Sequence, residues 1–252
     1  MEVQKHPHHV THKKKWSEYL LEFFMLFLAV FLGFVAENIR EEKVERHREK
    51  QLVISLANDI KTDINRLTKI ITLRQIKDIK LDSLMFLLNA VNRSDNGNSI
   101  YFNAVDVGRR MNIRFTPDDG TMQQLKNAGG LRLISNRNVA DSITQYDVSC
   151  ANLVIIEEIE DAVIQEYRSS EYKVFNPLVF EQLQKETFDE ATRPTNNPAL
   201  LPFDNAVLNE LNSRLRTARL YNRAVLRDTK ANLGKAKNLL AILSKEYSLE
   251  NE

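Results

Sequence analysis

The sequence predicts an all-α protein in which one N-terminal transmembrane helix is followed by an elongated antiparallel bundle with long, coiled-coil-like helices. Three observations support this fold class. Glycine and proline are scarce, with 7 and 6 among 252 residues, which favours long helices over many short strands. An uninterrupted apolar run stands near the N-terminus, and apolar residues then recur every three or four positions, the spacing of one helix face.

The apolar run predicts an uncleaved signal anchor over residues 16–39. Its centre, Tyr19 to Ala36, holds about 18 residues that would rise roughly 27 Å as a helix, close to the hydrocarbon thickness of a bilayer. The exit after Phe34 is a poor small-x-small cleavage site, which disfavours a removable signal peptide. A buried helix of a soluble core is disfavoured because the run lacks a polar stripe. The expected contacts with the lipid bilayer come from Trp16, Tyr19, Glu22, Phe23, Phe27, Phe31 and Phe34.

Residues 1–15 are expected to form a basic, histidine-rich tail. The compact block Lys13–Lys15 before the anchor favours a cytoplasmic N-terminus, with the large domain on the other side of the cytoplasmic membrane. Histidines in the tail are weak candidate metal ligands, because no acidic or cysteine ligand stands near them. These candidates are His6, His8, His9 and His12.

Residues 40–252 are predicted to form the bundle domain. Asn136 (or Ser135) and Asp204 can cap two of its long helices, and glycine at 129 and 130 can end the short helix before them. The expected helices run from the anchor to about residue 92, kinked near 73–80, and then over 100–111, 121–128, 137–170, 177–183 and 204–247. Residues 93–99 are expected to be a loop and Asp118–Asp119 part of a turn.

The first and last long helices carry the seam of the predicted bundle. The seam residues are Ile60, Ile64, Leu67 and Ile71 on the first helix and Leu208, Leu211, Leu215, Leu233, Leu240 and Leu243 on the last. On the last helix these leucines belong to a longer row that also includes Ala218, Asn222, Val225, Thr229, Ala236 and Tyr247. The spacing along this row alternates three and four with one extra four between Thr229 and Leu233, which predicts a stutter. These two helices are expected to pack antiparallel, with residues 137–170 as the third member. The core face of that third helix is expected to include Cys150, Ile156 and Val163.

The distribution of reactive residues argues against an enzyme and predicts no cofactor. All five histidines lie before residue 50, so the chain after His47 lacks the commonest general base and metal ligand. The single cysteine, Cys150, falls on an apolar helix face, and no nucleotide-binding loop or nucleophile elbow is present in the sequence. The net charge of +1 gives no long-range attraction to nucleic acid.

Three segments together resemble a family of uncharacterised bacterial single-pass membrane proteins, a domain of unknown function. They are Glu18–Glu37, Arg46–Gln51 and Leu125–Asn136, the last with a Leu-x-x-x-Gly-x-Leu-x-Leu-Ile-x-Asn pattern. The resemblance implies an inner-membrane location and an anchor followed by helices. It implies no activity, cofactor or catalytic residue.

The sequence leaves three functional hypotheses. The first is an interaction or scaffold protein whose bundle binds a protein partner or a second copy of itself beside the membrane. The second is an extracytoplasmic sensor with a small-ligand pocket between helices, using polar groups such as Arg132 or Arg137. The third is an accessory subunit of a membrane complex that uses the carboxylate of Glu22 within the bilayer.

Overall fold

The computed structural model of the protein describes residues 15–127, 129–183 and 192–249. This described part is almost entirely helical and contains no strand, which confirms the predicted fold class. Two short 3₁₀ helices, Arg93–Asn96 and Gly130–Arg132, join longer α-helices. The α-helices are α1 Trp16–Leu88, α2 Gly97–Arg109, α3 Gly120–Asn127, α4 Arg137–Glu171, α5 Pro177–Leu183 and α6 Asn205–Tyr247. The chain divides into two compact units between Lys50 and Gln51.

Helix ends follow the predicted capping chemistry. The Asn136 side chain accepts hydrogen bonds from the backbone N–H groups of Asn138 and Val139 at the start of α4. Asp204 does the same for the N–H of Val207 at the start of α6. Gly129 has a φ of +68°, the left-handed conformation expected where a helix ends at glycine.

The expected loop over residues 93–99 was wrong, and α1 ends earlier than expected. The helix continues through residues 73–80 and ends at Leu88 rather than near residue 92, and residues 93–99 are mostly helical. They form the 3₁₀ helix and the first turn of α2. The backbone N–H groups of Asn98 and Asn197 each donate to the other residue's side-chain oxygen, at 3.2 and 2.7 Å, so a distant segment caps this turn.

Side-chain pairs fix the directions of the three long helices in residues 51–249. Partners on α1 and α4 stand 83 to 86 positions apart, as in Asp63–Tyr146 and Lys77–Glu160, so these helices run parallel. Partners on α6 fall in number as those on α1 rise: Arg74 contacts Asn222, whereas Asp82 contacts Arg219. Helix α6 therefore runs antiparallel to α1, as predicted, and α4 is the third member.

Parallel α1 and α4 require the intervening chain to travel back along the bundle. Residues 111–119, which we call the strap, make this return in non-helical conformation. The residue numbers of the α1 partners decrease as those of the strap increase: the carbonyl of Ile113 accepts from Arg74, and the N–H of Asp118 donates to Asp63. The strap therefore runs antiparallel to α1. The predicted turn at Asp118–Asp119 is thus the end of an extended segment packed on α1.

The buried face of α6 forms a regular heptad without the predicted stutter. From Leu208 to Leu243 the buried positions alternate three and four throughout, because the row passes through Asn232 and Leu239. Leu233 and Leu240, placed in the seam by the sequence, are only partly buried beside it. On α1, Ile60 and Leu67 are buried as predicted, whereas Ile70 is buried and Ile64 and Ile71 are half-exposed. The seam residues Leu208, Leu211, Leu215 and Leu243 are buried.

The buried apolar residues form two separate clusters. The first core includes α1 residues from Val53 to Ile70, α4 residues up to Leu153 and α6 residues from Val225 onwards. The second core joins the last turns of α1 to α2 and α5, with α4 from Ile164 and α6 up to Leu215. On each long helix nine or ten residues lie between the nearest buried members of the two cores.

Alanine substitutions at adjacent leucines test the regular heptad. Leu239→Ala removes a side chain that is 1% exposed and should lower the free energy of unfolding by about 2–5 kcal/mol. Leu240→Ala is the matched control and should be clearly less destabilising because Leu240 is only partly buried. Thermal unfolding of the full-length protein in mild detergent measures both variants. A larger loss of stability in Leu240→Ala than in Leu239→Ala would contradict the regular heptad and favour the predicted stutter.

A second prediction concerns the first turn of α2. A Cβ at Gly97 would lie 2.2 Å from the carbonyl oxygen of Pro198, so Gly97→Ala should destabilise by about 1–3 kcal/mol through backbone displacement. Gly108→Ala in the same helix meets no atom within 4 Å and should be neutral or stabilising. Equal melting temperatures for the two variants would contradict the close approach.

Candidate functional site

The predicted anchor is the apolar first part of α1. This is the one helix among the described residues that is long and apolar enough to cross a membrane, judged by length and composition. None of its apolar window is buried, and Trp16 is 82% exposed. Phe23, Phe27 and Phe31 stack in one row with ring centroids 6.4 and 6.1 Å apart. Tyr19, Glu22 and Phe34 also lie on the exposed helix surface.

The weak candidate metal ligands are histidines of the N-terminal tail. His6, His8, His9 and His12 fall outside the described residues. Within the described ranges, no group of three or more histidine, cysteine, aspartate or glutamate side chains is arranged to hold a metal ion.

A layer of buried polar residues fills the gap between the two apolar cores. We call it the polar layer: Arg74 and Lys77 of α1, Glu157 and Glu160 of α4, and Asn222 of α6. Every one of these residues is at most 3% exposed. Arg74 donates to Glu160 at 2.8 Å and to Glu157 at 3.2 Å, and Lys77 donates to Glu160 at 2.9 Å. Two cations therefore face two carboxylates inside the bundle.

The strap supplies backbone groups to this layer. The carbonyl of Ile113 accepts from Arg74 at 2.6 Å, and the N–H of Phe115 donates to Glu157 at 3.2 Å. The Asn222 amide donates to the carbonyl of Arg74 at 3.0 Å. The layer thus ties all three long helices and the strap together. Arg74 Nε is buried without a hydrogen bond, so the network is not fully satisfied.

Burial opposes the charged forms in this layer. It lowers the pKa of Lys77, although Glu160 acts in the opposite direction, and it raises the pKa of Glu157, although Arg74 favours the ionised form. Opposite charges at these distances offset part of the desolvation penalty only while both partners are present. The arrangement is suited to fixing helix register.

Removal of one charge should therefore destabilise more than removal of a pair. Glu160→Met leaves Lys77 without a carboxylate, and the free energy of unfolding should fall by about 3–5 kcal/mol. The double variant Lys77→Met/Glu160→Met leaves the Arg74–Glu157 pair and should regain much of that loss. Thermal melts of both variants in detergent provide the measurement, and a double variant as unstable as the single one would contradict this account.

A cleft of about 210 Å³ opens between α1, the strap, α3 and α4. Its apolar lining includes Leu56 and Ile60 of α1 and Met122 of α3. Its polar lining is mostly acidic: Asp63, Asp118, Asp119 and Asp147, with Lys126 as the cation. Tyr146, Cys150, Ala151 and Val154 of α4 form the opposite wall, together with Pro117 and Gln123 from the strap and α3.

Asp63 is the buried carboxylate of this cleft. It is 1% exposed and accepts hydrogen bonds from the Tyr146 hydroxyl at 2.8 Å and from the N–H of Asp118 at 2.9 Å. Burial raises the pKa of Asp63 in spite of these hydrogen bonds, and Arg66 approaches it only to 3.9 Å. The carboxylate is therefore under-compensated by its protein surroundings.

Cys150 is buried, as the sequence predicted, and it lies on the cleft wall. Burial raises the pKa of its thiol, so the thiolate that would act as a nucleophile is disfavoured. Its sulfur lies 3.6 Å from the side-chain nitrogen of Asn232 on α6, which joins the cleft wall to the heptad seam.

The two arginines proposed from the sequence as pocket residues do not line this cleft. Arg137 is 93% exposed and lies 3.9 Å from Asp141, and Arg132 is exposed at the end of its 3₁₀ helix. Sequence reasoning also missed Glu157 and Glu160, having placed Ile156 and Val163 on the core face of α4. The missed signal was spacing: Leu153, Glu157, Glu160 and Ile164 continue the three-four alternation.

A further buried carboxylate lies in the last turn of α4. Glu171 is 8% exposed, accepts a hydrogen bond of 2.7 Å from the Tyr167 hydroxyl, and burial raises its pKa to about 7. Its ionised form is disfavoured in the folded state, so stability is greatest when Glu171 is protonated and falls as the pH rises from about 4.5 to about 7.

Glu171→Gln should remove this dependence and raise the melting temperature at pH 8 relative to the parent protein. The shift corresponds to at most about 3 kcal/mol. Tyr167→Phe removes a hydrogen bond that favours the carboxylate and should move the midpoint of the pH dependence upward. Melting curves between pH 5 and pH 8 test both variants, and an unchanged profile in Glu171→Gln would show that other groups dominate.

Comparison with known proteins gives no relative on which to base a function. No family model, curated protein or solved structure matches the chain. Function is therefore inferred from three features of the molecule: the apolar helix, the polar layer and the cleft.

Proposed function

We propose that this is a non-catalytic, membrane-anchored interaction or scaffold protein. The apolar part of α1 crosses a bacterial inner membrane once as a signal anchor. The bundle lies on the periplasmic side and binds a protein partner or a second copy of the chain. The observation that carries this proposal is the complete exposure of the apolar window in α1, since such a surface is stable in lipid and not in water.

The outer face of α4 supports the binding part of the proposal. Val148, Ile155 and Ile159 are exposed at spacings of seven and four, so they lie on one side of the helix, away from its buried row. Exposed apolar side chains grouped on one face are typical of protein interaction surfaces. The Lys13–Lys15 block supports the periplasmic orientation of the bundle.

Fractionation and site-specific photocrosslinking test the proposal. We expect the full-length chain to stay in the membrane pellet through an alkaline wash and to dissolve only with detergent. A photoreactive residue at Ile155 should then give discrete adducts in native membranes, whereas one at the exposed Lys237 on α6 serves as control. Release by the wash would contradict the anchor, and monomer alone at both positions would contradict the interaction role.

The cleft favours a second candidate function, that of a small-ligand sensor or binding module. It combines an apolar lining with a few convergent polar groups, the usual composition of a ligand site. It also adjoins α1, the helix that carries the proposed anchor. A ligand that stabilises the full-length protein in solution would support this function independently of any crosslinked partner.

A further inference from the structure

The charges around the cleft do not balance. Four aspartates line it, and the cations near them are Lys126, which pairs with Asp147 at 2.8 Å, and Arg66. Arg66 is half-exposed and stands 3.9 Å from both Asp63 and Asp118. Even with both cations counted, the carboxylates exceed them by two. An excess negative potential is thus focused in a cleft with low-dielectric walls.

The deepest carboxylate meets apolar side chains. Asp63 shares the cleft with Leu56, Ile60 and Met122, each of which is at most 5% exposed. An inorganic cation would leave this apolar surface unused, and an anion would be repelled by the carboxylates. A neutral ligand would leave the buried charge of Asp63 under-compensated. A ligand with one positive group and an apolar body would compensate the charge of Asp63 and also cover the apolar lining.

The size of the cleft restricts that ligand further. At about 210 Å³ it is smaller than the roughly 300–1,000 Å³ typical of sites for drug-sized molecules. It accommodates a primary amine with a short alkyl or single-ring body, its ammonium group directed to the aspartates.

We propose that the cleft between α1, the strap, α3 and α4 binds a small organic ammonium ion, with Asp63 as its buried counter-ion. The proposal rests on the second candidate function and names its ligand class. The ligand would also hold the strap against α1, because Asp63 already accepts the N–H of Asp118 from the strap. Binding and strap position are therefore coupled through one carboxylate.

Calorimetric titration of the full-length protein in mild non-ionic detergent tests the proposal. The probes are butylammonium and benzylammonium, and the matched neutral and anionic probes are benzyl alcohol and benzoate. We expect saturable binding of at least one ammonium ion and at least about tenfold weaker binding of the other two probes, the equivalent of about 1.4 kcal/mol.

Two variants assign the binding to the cleft. Asp63→Asn keeps an acceptor for the N–H of Asp118 and removes the charge, so affinity for the ammonium ion should fall at least about tenfold. Ala151→Trp adds a bulky side chain at an exposed position of the cleft lining on α4 without removing a carboxylate and should abolish binding, which also excludes partition into the detergent. Asp141→Asn, on the exposed face of α4 and outside the cleft, should bind like the parent.

The outcomes separate the ligand class from the broader function. Equal binding of benzyl alcohol and benzylammonium, lost in Ala151→Trp, would overturn the ammonium assignment and retain a ligand-binding cleft. No saturable binding of either ammonium ion, or binding unchanged in Asp63→Asn, would overturn the proposal outright. The titration uses dispersed protein, so neither result bears on the membrane anchor or on the crosslinking test.

Discussion

The buried polar layer is the constraint on which the packing of residues 51–249 depends. Charged side chains from α1 and α4 can lie at zero to three per cent exposure only when their partners stand opposite, so a shift of either helix by one turn would leave a charge unpaired. The apolar clusters on either side tolerate such a shift more readily, because leucine can meet leucine in several registers. Asn222 extends the restriction to α6 through the carbonyl of Arg74. The layer thus specifies one alignment among several that burial alone would allow.

Much of the helical framework could be predicted because it depends on local chemistry. The caps at Asn136 and Asp204 and the glycine at 129 are short-range signals, and the bounds of α4 and α6 follow from them and from apolar spacing. The apolar helix near the N-terminus is equally visible, since composition alone identifies it. The start of α2 could not be predicted, because Asn197, 99 positions away, accepts the backbone N–H of Asn98.

The polar layer and the cleft were missed for a physical reason. A search for apolar periodicity passes over Glu157 and Glu160, because a charged residue at a core position looks like an interruption until its partner is known. The cleft has the same character: Asp63, Asp118 and Tyr146 come from three segments brought together by the strap. Asn232 likewise concealed a regular heptad, since its polarity suggested that the seam continued from Thr229 to Leu233. Buried positions occupied by polar residues therefore could not be recognised from residue type alone, because their burial depends on partners from distant segments.

The parallel arrangement of α1 and α4 has a kinetic consequence. The polar pairings that join them link residues 83 to 86 positions apart, so none forms by local zippering along the chain. Closure of so long a loop loses chain entropy before any contact compensates for it, and topologies rich in distant contacts fold slowly for their size. A bundle with short hairpin connections avoids this search. In this chain α4 and α6 can associate early as a hairpin, and the docking of α1 with its strap is the step that should limit the rate at which the native state is reached.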